Sequence, residues 1–367
     1  MNTMMGFILT GGENVNMKEL LLKRSIASIP IGGKYRLIDF VMSNMVNSKI
    51  HNVAITTQFQ FRSLMDHLGS GKEWDLDRKR GGLFIFPPFL SKDSSLWYTG
   101  TADAIYRNLI YIERSTQDYV VIAPDDSVYK LNFQDVVADH IETKADITVV
   151  YKEVHDENLQ LLGIVELDEY ERIIGFEQYP ENPKTNNASM GIYVMKRELL
   201  LQMMYEYRTP ETIDFVNDIL VRNLQDFHIH GYRFQGYWRP INTIQAYYNC
   251  NMEMKSPEIG IRLFRSSGPL YTKIKDYHPA YIGKNSDVLN SIVPEGCNIL
   301  GNVYNSVLFR GVAVKQGARV MDSIILQDAV IGENCVIENA IIDKNYVVPD
   351  KTSVIGSKEN PAIVQRL

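Results

Sequence analysis

Residues 312–354 read VAVKQGARVMDSIILQDAVIGENCVIENAIIDKNYVVPDKTSV, and in them a small or aliphatic residue returns at every sixth place: Val312, Ala318, Ile324, Val330, Val336, Ile342, Val348 and Val354. A helix would repeat at about 3.6 residues and a strand at about 2, so neither gives this pattern. A hexapeptide repeat specifies a left-handed parallel β-helix, whose aliphatic side chains point into a triangular prism. Gly317, Gly332, Asn334 and Asn345 fall at polar places between them, where the chain is expected to turn. The reading predicts a β-helix over 280–367, preceded by a connecting helix and linker over 246–279. Catalytic β-helices of the acyltransferase kind use a histidine in the coils, and no histidine follows His278. The prism is therefore expected to serve structure and assembly.

Residues 1–245 follow a different rule. Val53–Thr57, Tyr119–Ala123 and Ile147–Tyr151 are short apolar runs of strand length, and Ala102–Ser115 and Phe133–Lys144 between them are helix-like. Near-continuous apolar runs suit strands buried on both faces of a parallel sheet. The alternation predicts an α/β, Rossmann-like domain with a mixed, mostly parallel sheet and ligands at the carboxyl ends of its strands. The N-terminal run Met1–Thr10 is too short to cross a membrane and lacks the marks of a secretory signal. It is expected to be a buried first strand that enters the glycine turn Gly11-Gly12.

A net charge of −6 over 367 residues argues against non-specific nucleic-acid binding. The three cysteines, Cys250, Cys297 and Cys335, are widely spaced and suggest neither a disulfide framework nor a zinc knuckle. A reducing cytoplasm is the expected setting, with no membrane association.

The stretch Arg24-Ser25-Ile26-Ala27-Ser28-Ile29-Pro30-Ile31-Gly32-Gly33-Lys34-Tyr35-Arg36-Leu37-Ile38-Asp39-Phe40, behind the loop Leu9-Thr10-Gly11-Gly12-Glu13-Asn14-Val15-Asn16, resembles the N-terminal signature of the ADP-glucose pyrophosphorylases (glucose-1-phosphate adenylyltransferases). Further segments match in order: Thr57-Gln58-Phe59, Trp97–Ala104, Asp126–Lys130, Phe176-Glu177, Ala188–Tyr193 and Gly236–Arg239. The likeness spans essentially the whole chain, β-helix included, and is nearest to the GlgD-type subunit that accompanies a catalytic subunit in many Gram-positive bacteria.

That resemblance implies a reaction of ATP with glucose 1-phosphate, giving ADP-glucose and pyrophosphate for glycogen synthesis, with Mg2+ held by two aspartates. It assigns Gly11, Gly12, Gln58, Gly100 and Thr101 to the nucleotide. Tyr98, Gly163, Glu177, Gln178 and Ser189 fall to the sugar phosphate, and Asp126 to catalysis and the metal. Four charged places of the family are neutral here. Asn16 stands for the arginine of the glycine loop, Ile26 for the lysine of R-A-K-P, Gln178 for the lysine of F-x-E-K-P, and Pro240 for the second metal aspartate.

Losing one preorganised electrostatic group costs ~10²–10³ in rate. The resemblance thus implies a regulatory subunit with little activity of its own, working in a homo- or hetero-tetramer with a catalytic homologue. An active enzyme whose charges have moved to Lys18, Lys23, Lys34 or Asp125 is one alternative, and a stand-alone sugar-phosphate sensor is another. The family also places an effector-responsive loop at Leu83–Leu90, after the basic run Arg78-Lys79-Arg80. Restoring charge at 16, 26 and 240 is expected to raise activity.

Overall fold

The computed structural model describes residues 3–10, 15–88, 97–155, 158–206, 214–264 and 268–365, the side chains of residues 15 and 18 excepted. The chain forms two compact units: Met1–Glu13 with Phe40–Trp238, and Asn14–Asp39 with Arg239–Leu367. The early segment Asn14–Asp39 thus packs with the C-terminal part of the chain, although no shift in composition announces it.

The first unit is built on a nine-stranded mixed sheet. We number its strands β1 (Met4–Leu9), β2 (Asn52–Thr56), β3 (Gly82–Phe86), β4 (Tyr119–Pro124), β5 (Ile147–Glu153), β6 (Gly163–Leu167), β7 (Ile173–Gln178), β8 (Asn187–Lys196) and β9 (Ile229–Arg233). The order β7-β6-β8-β4-β1-β2-β3 makes the path, and β8 also pairs with β5, which pairs with β9. Pairing is parallel through β4-β1-β2-β3 and between β5 and β9, and antiparallel around β8. Phe7, Val120, Ile122, Val149 and Met195 on these strands are buried together with Ile105, Ile112, Leu200, Met203 and Ile219 from helical segments. This is the layered core that the apolar strand runs require.

Two local differences from the sequence reading have simple causes. The helix expected over 102–115 is broken into Thr101–Arg107 and Leu109–Glu113. At the break, the Asn108 side chain donates to the Ala104 carbonyl (2.8 Å) and to the Tyr98 hydroxyl (3.1 Å). Side-chain amides that bond the local backbone compete with helix continuation in this way. The segment from Leu83, expected as a loop, begins as the edge strand β3, because Leu83-Phe84-Ile85-Phe86 aligns with Val53–Thr56 and completes the sheet. Leu90 lies outside the described residues.

The second unit holds the left-handed β-helix. Its three parallel sheets contain five, five and four strands. The interior is lined by Cys297, Ile299, Val303, Leu308, Val314, Val320, Ile325, Ile331, Ile337, Ile342 and their neighbours. Ladder partners give the true repeat: Val303↔Val320↔Ile337, Leu308↔Ile325↔Ile342 and Val314↔Ile331↔Val348. Each coil therefore takes 17 residues rather than three sixes, as the spacing of these partners shows. Entry to the third sheet comes one residue early, so a strict six-residue frame slips: Val330 and Val336 are only half-buried while Ile331 and Ile337 point inward.

The shortened corner is made by Asn305, Asp322 and Asn339, all left-handed (φ 48°, 46° and 45°). Short polar side chains tolerate that conformation best after glycine. The other two corners use Gly317, Asn334 and Lys351, and Gly311, Asp328 and Asn345, again with positive φ. Gly332 is not a turn of this kind. A Cβ there would meet the Val348 carbonyl oxygen at 2.6 Å, so close backbone approach requires the glycine.

Behind the shortened corner runs a serine ladder. Ser291 Oγ accepts from Ser306 N, Ser306 Oγ from Ser323 N, and Ser323 Oγ from Ala340 N, at 3.0–3.1 Å. Ser306 and Ser323 are fully buried. Ser323→Ala is expected to cost about 1–3 kcal/mol, because the buried Ala340 amide loses its acceptor. A urea titration with a lower midpoint and unchanged slope would show it.

Within the same unit, Pro30-Ile31 and Tyr35-Arg36 form a hairpin. Its turn uses Gly32 and Gly33 at φ 61° and 86°. Gly32 N donates to Asn251 Oδ1 (3.0 Å), Tyr247 Oη donates to the Pro30 carbonyl (2.7 Å), and Arg24 pairs with Asp343 (2.6 Å). The G-G pair of the signature is thus a structural turn. No described helix is long and apolar enough to cross a membrane.

Candidate active site

Three parallel strands, β1, β2 and β4, end at one edge of the sheet, since Ile8 lies opposite Ile55 and Leu9 opposite Pro124. The residues that follow them are Thr10, Thr57-Gln58 and Asp125-Asp126. Gly11 and Gly12, the expected nucleotide contacts, lie outside the described residues. Strand β8 brings Ser189 toward the same edge. Its bulge between Ser189 and Ile192 turns at Gly191 (φ 69°), where a Cβ would lie 3.2 Å from Pro124.

Around this edge the expected residues fall into linked groups. Gln58 and Tyr98 exchange two hydrogen bonds: Tyr98 N donates to Gln58 Oε1 (2.9 Å) and Gln58 Nε2 to the Tyr98 carbonyl (3.2 Å). The Tyr98 hydroxyl donates to the Phe86 carbonyl (3.3 Å), and Arg107 lies over its ring. Gly100 precedes the helix that begins at Thr101. Thr101 Oγ1 donates to Asp214 Oδ2 (3.0 Å) and accepts from Phe215 N (2.8 Å). Asp214 Oδ1 accepts from Val216 N and Asn217 N and, at 3.4 Å, from Gln178 Nε2. Gly163 lies between Gln178 and Ser189 on adjacent strands. One connected set therefore holds Thr101, Asp214, Gln178, Gly163 and Ser189.

Glu177 does not join that set. Successive strand residues face opposite sides, and Glu177 pairs instead with Lys184 (3.4 Å), which also binds Glu166 (2.7 Å). Counting F-x-E-K-P along Phe176-Glu177-Gln178-Tyr179-Pro180 without a gap also sets Gln178 at the glutamate and Tyr179 at the lysine. The geometry favours this frame. Tyr179 sits at φ 53° just beyond β7, and its phenol is raised by desolvation around the hydroxyl and then by the fields of Asp126 and Asp214. The Tyr193 hydroxyl, raised by burial, bonds Ser189 and feels Asp214 as well. Asp126, Tyr179, Tyr193 and Asp214 are thus within electrostatic reach of one another.

Asp126 is half-buried and its hydroxyl neighbour Ser127 donates to it (2.9 Å). Burial raises its carboxyl, opposed in part by that bond and by its own backbone amide. Asp125 beside it is buried, and Lys130 is lowered to about 8 by desolvation.

The donors fit a magnesium clamp poorly. Among the described residues no group of three His, Cys, Asp or Glu is placed to hold a metal. Asp126 carries one carboxylate, and Pro240 has no donor side chain to offer as the second.

The remaining substituted places belong to the second unit. Asn16 is exposed, Pro240 is buried at the end of the short strand Trp238–Pro240, and Ile26 is buried in the turn Ile26–Ser28. Lys34 stands over the Tyr35 ring at 5.3 Å, and Lys23 is exposed. Trp97 is exposed and stacks on Phe59, whereas Trp238 is buried.

Asp214, Tyr179, Tyr193 and Asn108 were not picked out by the sequence reading. Asp214 precedes an apolar run and accepts from the next two amides but one, so in sequence it reads only as a helix cap.

Residues 5–256 match the Nucleotidyl transferase family model, and residues 278–362 match the GlmU-like C-terminal hexapeptide model. The chain is 40% identical to a glucose-1-phosphate adenylyltransferase of Acetivibrio thermocellus, over 89% of this chain and 77% of that one. Against the enzyme of that name from Fervidobacterium nodosum the identity is 37%, over 95% and 85%. Against that of Bacillus thuringiensis it is 36%, over 97% and 96%. With two domain matches that together take in both halves of the chain, and relatives this similar over 77–96% of their own length, the chain belongs to the ADP-glucose pyrophosphorylase (glucose-1-phosphate adenylyltransferase) family of nucleotidyl transferases.

Proposed function

We propose that this chain is a regulatory, catalytically impaired GlgD-type member of the family, acting in glycogen synthesis with a catalytic homologue in a tetramer. The observation that carries the reading is Pro240 at the place of the second metal aspartate, which leaves Asp126 alone among the metal carboxylates. Asn16, Ile26 and Tyr179 extend the loss to the phosphate-binding cations. Such losses are not additive, but each alone removes ~10²–10³ in rate. The intact sheet, the linked set around Asp214 and the filled prism support a fold retained for assembly and for altering the partner's response.

The test is ADP-glucose synthesis from ATP, magnesium and glucose 1-phosphate. The chain alone is expected to run at least ~10³-fold slower than a complete homologue. Mixed with that homologue, it is expected to change the mixture's rate or substrate affinity. Robust turnover by the chain alone, abolished in Asp126→Ala, would instead make it an enzyme in its own right.

A further inference from the structure

Within the second unit the helix Ile244–Glu253 is fastened on two sides. One side meets the shortened corner of the prism. Tyr248, almost fully buried, donates its hydroxyl to the Asp322 carbonyl (2.5 Å) and reaches Asn339 Oδ1 (3.4 Å). Lys255, just past the helix, donates Nζ to the carbonyl oxygen of Asn305 (2.7 Å) and to its Oδ1. Asn305 Oδ1 also accepts from Asn290 Nδ2 (2.8 Å), and Asn305 Nδ2 donates to Asp322. All three left-handed residues that close the coils early are therefore reached from one helix and its end.

The other side holds the hairpin Pro30–Arg36. Asn251 accepts from Gly32 N, and Tyr247 donates to the Pro30 carbonyl. A Cβ at Gly32 would lie 2.9 Å from Met254 Sδ, so the turn rests directly on the helix end, and Phe264 stacks on Tyr35 at 5.4 Å. Tyr247 and Asn251, four residues apart, share one face of the helix; Tyr248 and Lys255, seven apart, share the next.

We propose that this helix couples the shortened corner of the prism to the Gly32-Gly33 hairpin, with Lys255 and Tyr248 as the clasp whose opening loosens both. Coupling of this kind travels through a packed, rigid element that both ends bias. It holds whether or not the chain turns over substrate, and it gives anything that shifts the prism corner a physical route to the signature segment. The clasp also titrates. Desolvation lowers Lys255 to about 8, against the pull of Asp322 and with the help of Lys358. Tyr248, raised to about 12 by desolvation and then by Asp322, keeps its proton over the same range. Released into water, the ammonium titrates near ~10.4. Between those values the closed clasp binds fewer protons than the open one, so closing is favoured as pH rises through 8. Below pH 8 both forms are protonated and this group adds no pH dependence.

Hydrogen exchange of the full-length chain tests this, read by mass spectrometry on peptides covering the hairpin and the corner and corrected for intrinsic rates. Lys255→Met and Tyr248→Phe are each expected to lower protection of the hairpin amides, Gly32 among them, by ~fivefold, the net worth of about one hydrogen bond. In the unaltered chain hairpin protection is expected to rise several-fold between about pH 7.5 and 9.5, by at most ~tenfold per unit, and Lys255→Met to abolish the rise. Ile331→Val, inside the prism on the sheet away from that corner, is the control and is expected to leave the hairpin unchanged. Protection lost at the corner with the hairpin untouched overturns the coupling. An equal loss at the hairpin in Ile331→Val overturns it too, since the hairpin would then open only with the whole unit. The pH profile needs no variant, so it stands even if Lys255→Met does not fold, and a flat profile in the unaltered chain overturns Lys255 as the clasp.

Discussion

The triple variant Asn16→Arg, Tyr179→Lys, Pro240→Asp is expected to raise ADP-glucose synthesis by the isolated chain at least ~10²-fold. The three changes return a cation to the glycine loop, a cation to the sugar-phosphate side and a carboxylate to the metal place. The structure decides which positions to restore. Tyr179 rather than Gln178 answers to the lysine of F-x-E-K-P, because it is Tyr179 that lies in the fields of Asp126 and Asp214. A lysine there would oppose those carboxylates and a bound phosphate at once, whereas Gln178 is already tied to Asp214 and Asn217.

Ile26 is better left alone. It is 6% exposed in the second unit, and an ammonium at such a place costs several kcal/mol unless it is paired. Ile26→Lys is therefore the member of the original set that would trade stability for charge. Initial rates measured with and without magnesium check the prediction. A variant that folds, binds glucose 1-phosphate and still shows no metal-dependent gain would mean that the assigned places are wrong.

The legible part of the fold was the part written in period. The sixfold return of aliphatic residues announces a prism, and the apolar runs at Val53, Tyr119 and Ile147 announce parallel strands. What the period hides is the coil length. One corner is closed a residue early by Asn305, Asp322 and Asn339, and a fixed frame then names Val330 and Val336 in place of Ile331 and Ile337. A corner is set by a single left-handed residue, and Asn or Asp can fill that role at any polar place, so no count along the chain betrays the slip.

The candidate site was legible where a motif carried it and illegible where packing did. Asp126, Tyr98, Gln58 and Ser189 stand in motifs. Asp214 reads as a helix cap until Thr101 and Gln178 are seen to bond to it, and those residues are 113 and 36 places away. Glu177 and Gln178 are neighbours in sequence, yet strand geometry sends them to opposite faces, which no motif records.

Acidification from pH 6.5 to pH 4 is expected to cost the first unit about 3 kcal/mol through His140 alone. His140 is 2% exposed on the helix Phe133–Glu142, its Nδ1 is 2.8 Å from Thr148 Oγ1, and its ring stands edge-on to Tyr119. Its pKa is lowered from 6.5 to about 4, first by burial and then by the nearby Lys196, His230 and His228, with Asp146 opposing them. Above pH 6.5 the imidazole is neutral whether the chain is folded or not, so it contributes no pH dependence. Between pH 6.5 and 4 the unfolded chain takes up the proton and the folded chain does not. The unfolded state binds more protons there, so stability falls as pH falls, by about 1.4 kcal/mol per unit at most. Below pH 4 both states are protonated and the loss stops growing. His140→Gln keeps a polar partner for Thr148 and carries no titrating proton. Denaturant midpoints of the two proteins, measured from pH 7.5 to 4, are expected to converge as pH falls. Parallel curves over that range would mean that His140 gains its proton in the folded state as readily as in the unfolded one.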